Sequence, residues 1–571
     1  MAGARAPAHV PRVRDFFQAP PRLGNPFDDD DALRALLAHR LPAEMHEAAG
    51  MELSRFGARV AGEIAALGEA AEAQPPRHVP FDAWGRRIDV IETSDAWRAL
   101  DRISAEEGLV ALAYERRFEA ATRLLQFARL YLFHPASATY SCPLAMTDGA
   151  ARCLELHAGA DVRLQAAFAR LTTRDPARFW TSGQWMTERT GGSDVSETST
   201  VAIVAADAGF RLRGTKWFTS ATTAQMALTL ARVEGAAAGT AGLSLFQVEL
   251  RDADGALRGI EVHRLKDKLG TRALPTAELT LHDTPATLVG AEGDGVRTIA
   301  SMLNVTRLYN ACAAVAGMRR AVALATDYAH RRRAFGRLLI DQPLHRETLA
   351  GLQVQVEGAL QLVFHAAALL GRDECGTASD AERATLRLLT PVVKLYTAKQ
   401  AVAVASEVLE AFGGAGYIED TGLPRLLRDA QVLPIWEGTT NVLSLDVLRA
   451  LARTDALGAW AADLGERLAR VQDSRLARSR VQVTAAVAHI GAHGDAAHEA
   501  REAGARALAI AIARTTAGAL LLEQAAWGVR HGREDERPRM LAAAVRWCDQ
   551  VLASLRHVDD ERLQENRALV P

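Results

Sequence analysis

Six short blocks of this 571-residue sequence hold the residue types that could bind a ligand or do chemistry. The first block, residues 185–195, places two adjacent glycines among threonine, serine and aspartate side chains. Glycine lets backbone N–H groups approach a phosphate closely, because it has no Cβ. The block alone fits an ordinary tight turn equally well, so its meaning depends on the other five.

The remaining blocks combine aromatic, charged and glycine residues. Residues 216–220 read Lys-Trp-Phe-Thr-Ser, in which an aromatic plane beside a hydroxyl suits a flat heterocycle but also suits a protein core. Residues 264–272 form a charged loop that solvation alone could explain. The last three blocks lie at 331–336 (followed by Gln342), at 412–417 and at 435–442.

The elements that must position these blocks change along the chain. Apolar residues recur every three or four positions before about residue 171 and again after Gly295, which predicts helices. Between 197 and 290, short alternating runs separated by turn residues predict strands. This order excludes the βαβ alternation of a Rossmann fold. We predict an α+β, mainly α protein with an N-terminal arm (1–30), an N-terminal helical domain (31–175), a central β-domain (176–290), a C-terminal helical bundle (291–450) and an additional helical domain (451–571).

Composition narrows the function classes. With 49% hydrophobic and 24% charged residues the chain is globular, and a net charge of −2 argues against a basic nucleic-acid coat. Five cysteines without a CxxC pair offer neither a zinc site nor a disulfide framework, so we expect no metal and a cytoplasmic location. We find no secretory signal and no apolar run long enough to span a membrane. Only five of the 67 basic residues are lysines, a bias that we attribute mostly to genome composition.

Taken together in identity, order and spacing, the six blocks resemble the acyl-CoA dehydrogenase family of flavoproteins over about residues 80–450. Residues 140–146, the Lys-Asp-Lys-Leu-Gly loop at 266–270, Trp436 and the extra C-terminal helices resemble the AidB-like branch of that family. The resemblance implies an N-terminal helical domain, a central antiparallel β-barrel domain, a C-terminal helical bundle and an extra C-terminal helical domain.

The resemblance also implies FAD as the cofactor and gives roles to individual residues. Glu437 would be the base that removes the α-proton of an acyl-CoA, since Thr306 occupies the position of the base in some other members and cannot serve as one. Ser193 and Arg307 would contact the substrate. The residues that would bind FAD are Trp185, Met186, Thr187, Gly192, Ser193, Trp217, Phe218, Thr219, Arg332, Phe335, Gln342, Gly413, Gly414, Thr439 and Asn441.

Partners and substrate size follow from the same resemblance. The segments at 332–342 and 413–414 would reach the FAD of a neighbouring subunit, which implies a homo-oligomer, with a tetramer favoured over a dimer. An electron-transfer flavoprotein is the expected electron acceptor. The chain departs from the family pattern at Asn304, Glu410, Trp436 and in the spacing of Gln342. These departures argue against ordinary short-chain substrates, so we expect a medium or long acyl chain.

Two other functions stay open from the sequence. An AidB-type protein would bind double-stranded DNA and protect it from alkylation, through arginines of the last segment: Arg467, Arg470, Arg475, Arg478 and Arg480. That segment holds 17 arginines and 16 acidic residues, a weak electrostatic footprint for DNA, and a solvated helix face explains its arginines as well. The third hypothesis is a regulatory protein that binds acyl-CoA without turning it over.

Overall fold

The computed structural model describes residues 18–206, 209–492, 498–555 and 558–570. Its N-terminal part is mostly helical, as predicted, and the Asp30 side chain caps the first helix by accepting from Leu33 N at 2.9 Å. A π-helical turn, Val60–Ile64, joins the second helix to the third. The helices are α1 (Asp31–Arg40), α2 (Ala43–Arg59), α3 (Ala65–Ala73), α4 (Asp95–Glu106), α5 (Ala111–Glu115), α6 (Thr122–Phe133), α7 (Ser141–His157) and α8 (Val162–Leu171).

A hairpin interrupts these helices where the pattern predicted helix alone. Strand β1 (Arg77–Phe81) pairs antiparallel with β2 (Arg87–Glu92). The two prolines at 75–76 follow α3, and proline cannot continue a helix without losing a hydrogen bond. Alternating apolar residues in β2, together with a glycine at the turn, then favour a hairpin.

The N-terminal arm lies against the helices. Its first 17 residues fall outside the described residues, and residues 18–30 contain neither helix nor strand. Arg22 N donates to the side chain of Asp327 at 2.8 Å. This contact attaches the arm to a helix 305 residues away in the sequence.

The central strands close into a barrel. Strands β6, β4, β5, β9 and β7 pair in that order, and β7 pairs back to β6. The long strand β9 also pairs with β8, and most pairings are antiparallel, but β3 and β4 run parallel to β6. The strands are β3 (Ser182–Gln184), β4 (Val201–Val204), β5 (Phe210–Ser220), β6 (Met226–Val233), β7 (Leu243–Glu249), β8 (Ile260–Leu265) and β9 (Thr276–Val289).

Three long helices form the C-terminal bundle, in the segment after Gly295 where the sequence predicts helices. A small hairpin, β10 (Arg333–Ala334) and β11 (Arg337–Leu338), joins the first two. The helices are α9 (Gly295–Thr298), α10 (Ala300–Arg331), α11 (Pro343–Glu374), α12 (Asp380–Ala411), α13 (Pro424–Ala430) and α14 (Thr440–Arg453).

Within its described residues the last segment adds five α-helices, which pack on the bundle rather than standing apart. Helix α17 contacts α11, α12 and α14, and its apolar residues join the same hydrophobic core. Helices α11 and α17 are long and apolar enough to cross a membrane, but most of each apolar stretch is buried inside the protein. The added helices are α15 (Ala456–Ala469), α16 (Ala477–Gly491), α17 (His498–His531), α18 (Arg537–Cys548) and α19 (Asp560–Leu569).

Candidate active site

Two blocks that the sequence analysis assigned to FAD are neighbours on the barrel. Trp217 N on β5 donates to the carbonyl of Thr187 at 2.9 Å. Trp185 and Met186 are buried behind this contact, and the Trp185 indole donates to Ser220 O at 3.2 Å. Trp217 is half-buried, so the segment 185–187 and the aromatic block of β5 share one surface of the barrel.

A buried ion pair fixes these two blocks to each other. The Lys216 ammonium donates to Glu188 Oε1 at 2.7 Å and to Leu230 O at 2.9 Å. Ser199 and Thr200 also donate to Glu188. Burial alone would raise the pKa of Glu188, but attraction to Lys216 and these hydrogen bonds lower the pKa to about 2. The carboxylate is therefore ionised and structural.

The other predicted residues on the barrel differ in exposure. Phe218 is 52% exposed, whereas Thr219 is buried and donates its hydroxyl to Ala277 O at 2.8 Å. Gly192 and Ser193 lie in an exposed loop. The Lys266 ammonium lies 3.8 Å from the centre of the Trp217 ring, as in a cation–π contact, so the charged loop after β8 covers part of this aromatic surface.

Glu437 lies where the bundle helices meet the segment before α14. Thr306 on α10 donates its hydroxyl to Glu437 Oε2 at 2.6 Å. The backbone of Glu437 has φ 58°, a left-handed conformation that is rare for a residue with a side chain and typical of functional sites. Among the described residues, no cation forms a salt bridge with Glu437, so its second carboxylate oxygen stays available.

Lys394 on α12 braces the strained segment. Its ammonium donates to Trp436 O and to Gly438 O, each at 2.7 Å, and its side chain is fully buried. Burial, partly opposed by attraction to Glu437, lowers the pKa of Lys394 to about 7. The carbonyls on both sides of Glu437 are thus held by one side chain.

Arg307, which was predicted to contact the substrate, forms an ion pair with an acidic residue of the protein. It donates to Asp446 Oδ2 at 2.8 Å, and Arg387 donates to the other oxygen of Asp446 at 2.7 Å. Burial would raise the pKa of Asp446, but these two arginines lower it. The charge of Arg307, which follows Thr306 in the sequence, is therefore compensated by Asp446 within the protein.

Cys142 on α7 carries a thiol on which charges of both the loop at 266–272 and Glu437 act. Burial raises the pKa of Cys142 to about 12, with the charges of Lys268 and Glu437 acting on it in opposite directions. Lys268 donates to Thr271 O and Leu274 O at 2.7 Å each, which closes the loop at 266–272. Cys142 is thus within electrostatic range of both a charge on the barrel loop and Glu437.

Several buried polar atoms at this site have no partner within the described residues. Trp436 Nε1, next to Glu437, is a buried donor without an acceptor, and Asn310 Oδ1 is a buried acceptor without a donor. Buried polar groups are normally satisfied, so each of these atoms needs a partner, such as an ordered water or a ligand atom. Separately, the half-exposed aromatic surface of Trp217 and Phe218 suits a flat heterocycle.

The remaining predicted residues are mostly exposed within one chain. Phe335 is 98% exposed at φ 51°, and Gln342 Nε2 donates to Ala334 O at 3.2 Å across the β10–β11 turn. No hydrogen bond, ion pair or ring contact within the described residues joins this group to Trp217 or Glu437. The exposed residues are Arg332, Phe335, Gly413, Gly414, Thr439 and Asn441, and Gln342 is half-buried.

Lys394, Glu188 and Asp446 support the site through other residues and are not among the site residues predicted from the sequence. Lys394 carried a signal, because it is one of only five lysines and interrupts an apolar run on a predicted helix. Asp446 and Glu188 carried none, since each is an ordinary acid until the fold brings its cationic partner to it.

Comparison with known proteins places this geometry in a family. The chain matches four domains in order: the AidB N-terminal domain (18–174), the acyl-CoA dehydrogenase middle domain (183–284), the acyl-CoA dehydrogenase C-terminal domain (293–452) and a domain like the C-terminal domain of acyl-CoA dehydrogenase 11 (455–570). Acyl-CoA dehydrogenase family member 11 of Caenorhabditis elegans is 43% identical over 97% of this chain and 92% of its own length. Putative AidB of Escherichia coli is 36% identical over 67% of this chain and 71% of its own.

Solved structures of similar proteins give the same family assignment. The Caenorhabditis elegans ACDH-11 structure in complex with C11-CoA is 42% identical and superimposes with a TM-score of 0.94, covering 99% of this chain and 98% of that chain. An acyl-CoA dehydrogenase from Bacillus anthracis complexed with FAD shares the fold with a TM-score of 0.69 at 19% identity, over 97% and 96% of the two chains. The chain belongs to the acyl-CoA dehydrogenase family, in its AidB-like branch. It is an FAD-dependent oxidoreductase. Membership of this family confirms the predicted fold class and the predicted cofactor.

Proposed function

We propose that this protein desaturates a medium- or long-chain acyl-CoA between Cα and Cβ, with Glu437 as the base that removes the α-proton. One observation carries the proposal. Glu437 is a half-buried carboxylate, held by the Thr306 hydroxyl and by a backbone that Lys394 braces, and it forms no salt bridge with any described cation. An oriented carboxylate without an ion pair keeps its ability to accept a proton.

The chemistry requires such an arrangement because the α-proton of a thioester is a weak acid. The base must be within hydrogen-bond reach of that proton, and donors must stabilise the negative charge that develops on the thioester oxygen. Bound FAD supplies the acceptor for the hydride that leaves Cβ. The residues that would hold it are Trp185–Thr187 and Trp217–Phe218.

Arg307 takes a different part in this proposal from the one the family resemblance implied. Its guanidinium is paired with Asp446, so we propose that it holds α10 against α14 and positions Thr306 rather than binding the substrate directly. Ser193 stays a proposed substrate and FAD contact, supported by its exposed position in a glycine loop.

Two features support a medium or long acyl chain and a shared cofactor. The nematode relative has been crystallised with C11-CoA, and its fold matches over nearly the whole of both chains.

Phe335 and Tyr417 are large aromatic side chains that stand almost fully in solvent in one chain. Exposed apolar groups of this size mark interfaces, so we propose a homotetramer, with a dimer as the alternative, in which they contact a neighbour's FAD site. An electron-transfer flavoprotein is the proposed electron acceptor.

The DNA-binding alternative receives less support from the last segment. Three of the five arginines named for it are paired with acids: Arg467 with Asp463 and Glu523, Arg470 with Glu523, and Arg475 with Asp473. An arginine that already faces a carboxylate cannot neutralise a phosphate without losing that partner. We therefore do not propose DNA binding as the main activity.

An anaerobic titration of the FAD-loaded protein with acyl-CoAs of increasing chain length tests the proposal. We expect the flavin absorbance to bleach, most completely with medium or long chains. Acyl-CoA binding without bleaching at any chain length would favour the non-catalytic acyl-CoA binder instead. DNA affinity measured at two salt concentrations tests the remaining alternative, which requires a steep fall in affinity with salt.

A further inference from the structure

Gly149 lies on α7 where that helix packs against α10, beside Thr306. The glycine is buried, and a Cβ atom in its place would lie 2.6 Å from Met302 Cγ, 3.2 Å from Met302 O and 3.3 Å from the methyl carbon of Thr306. Nonbonded carbon atoms pack best at about 3.5–4.0 Å, so the first of these distances is a clash. The two helices therefore approach this closely because residue 149 has no side chain.

A buried hydrogen-bond network fixes α7 against α10 at the same level. Asp148 on α7 accepts from the Tyr309 hydroxyl of α10 at 2.8 Å and from the Arg123 guanidinium at 2.6 Å. All three side chains are buried, so losing either donor would leave a polar group unsatisfied. Tyr309 follows Thr306 by about one helical turn, so the network also fixes the height of Thr306 along α7.

The side chain of Thr306 lies between α7 and the candidate base. Its hydroxyl donates to Glu437 Oε2 at 2.6 Å, and its methyl group faces Gly149. A threonine within a helix chooses between two χ1 rotamers, because its oxygen can bond a carbonyl of the preceding turn. Leu303 O is such a carbonyl and lies 3.3 Å from the hydroxyl oxygen. With the methyl group seated against Gly149, the hydroxyl is directed at Glu437.

We propose that Gly149 is a positioning residue for the dehydrogenation, which acts through Thr306 on the carboxylate of Glu437. The inference rests on the proposed function, since it takes Glu437 as the base. A side chain at position 149 would displace one turn of α10, because Met302 and Thr306 both face it. Any such displacement changes the 2.6 Å contact between Thr306 and Glu437, and hydrogen bonds weaken steeply away from their best geometry.

The position of this glycine supports the inference. Gly149 lies well inside α7, which runs from Ser141 to His157. Glycine weakens a helix interior relative to alanine, because it loses more conformational freedom on folding. The close approach to α10 is the physical reason why alanine does not take its place.

A double-mutant cycle on the rate of anaerobic flavin bleaching tests the inference in the FAD-loaded protein. Gly149→Ala should slow bleaching about fivefold, which is part of the loss expected when a hydrogen bond to a charged group is removed. In Thr306→Val protein, which lacks the hydroxyl, Gly149→Ala should change the rate by less than about twofold, because residues that act through one contact are not additive. Flavin content should be the same in all four proteins.

Gly317→Ala is the matched control, because it adds the same atom to α10 where a Cβ would meet no other element within 4 Å among the described residues. It should leave the bleaching rate unchanged. Tyr309→Phe decides the matter if Gly149→Ala fails to fold, since it removes the hydrogen bond to Asp148 without adding volume. It should slow bleaching when the Thr306 hydroxyl is present and leave Thr306→Val protein unaffected.

Two results would overturn the inference alone. The first is a wild-type bleaching rate in Gly149→Ala. The second is an equal slowing by Gly149→Ala with and without the Thr306 hydroxyl, which a purely structural role of the glycine predicts. A wild-type protein that bleaches with no acyl-CoA would overturn the proposed function and the inference together, so the two failures are distinguishable.

Discussion

The carboxylate of Glu437 is held from two directions by residues distant in the sequence. Thr306, 131 residues earlier, donates to one of its oxygens, and Lys394 fixes the carbonyls before and after it. A left-handed backbone at a non-glycine residue costs of order 1–3 kcal/mol and persists only where neighbours impose it. We infer that both contacts exist to aim one carboxylate oxygen at the substrate.

We predict that Thr306→Val lowers kcat by roughly tenfold or more, because a hydrogen bond to a charged group contributes about 1.5–3 kcal/mol. The flavin content should stay unchanged, since Thr306 is not among the proposed FAD contacts. Thr306→Ser keeps the donor and should restore most of the rate. Equal kcat in the valine variant and the wild-type protein would show that this hydrogen bond does not orient the base.

We predict that Lys394→Met lowers both the melting temperature and kcat, because it leaves the Trp436 and Gly438 carbonyls without their donor. An unsatisfied buried acceptor costs about 1–3 kcal/mol. Lys394→Arg should not rescue it, since the larger planar guanidinium must enter a fully buried space. Lys399→Met is the control, because that lysine is exposed. Matching behaviour of the two methionine variants would refute a bracing role for Lys394.

Three of the five lysines share a structural role that the sequence did not predict. Lys216, Lys268 and Lys394 each donate to at least one backbone carbonyl in a confined place. A compact ammonium fits where the planar fork of arginine does not. In a chain that otherwise uses arginine, a lysine can therefore predict a confined site where an ammonium donates to backbone carbonyls. The particular carbonyls that accept from it could not be predicted, because they lie on other elements of the fold.

At the scale of elements, the added C-terminal helices are joined to the first helix by a charged cluster. Glu523 on α17 faces Arg40 on α1 at 3.2 Å and Arg467 on α15 at 2.7 Å. Gln524 donates to Ala35 O at 3.0 Å and is hydrogen-bonded to His39. The sequence predicted these helices correctly, but their partners depend on tertiary packing, and Arg467 turned out to be structural rather than free for DNA.

We predict that Glu523→Ala lowers the free energy of unfolding by about 3 kcal/mol, because it leaves Arg40 buried without its counter-ion and leaves Arg467 with Asp463 alone. Glu466→Ala is the matched control, since Glu466 is exposed and lies 3.8 Å from Arg470 alone. Its effect should stay below about 0.5 kcal/mol. Chemical denaturation measures both. Equal effects of the two substitutions would show that the cluster does not hold the added helices in place.

For the molecule as a whole, the sequence pattern predicted the order of helices and strands and the family resemblance implied the barrel, but which strands pair was not predictable. Alternating runs identify strands, but only pairing shows that β9 is shared by β5, β8 and β7. Two parallel pairings, β3–β6 and β4–β6, depart from the antiparallel prediction because distant chain segments meet β6 from the same direction. The domain boundaries and the cytoplasmic location stay predictions.

We predict that Phe335→Asp shifts the protein to a smaller assembly and lowers its flavin content, because it puts a charge on an apolar group that we place at the neighbour's FAD. Light scattering after gel filtration and the ratio of flavin to protein absorbance measure both quantities. Val162→Asp, also at an exposed apolar residue, should change neither. An unchanged mass and full flavin content in the Phe335 variant would contradict the shared site.

The central claim is that Glu437 removes the α-proton, and one measurement tests it most directly. Glu437→Gln keeps the size and polarity of the side chain but removes the base. Mixed anaerobically with a medium- or long-chain acyl-CoA, the FAD-loaded variant should bind the substrate and bleach its flavin about 10²–10⁴-fold more slowly than wild type. Bleaching of Glu437→Gln at the wild-type rate would contradict the account.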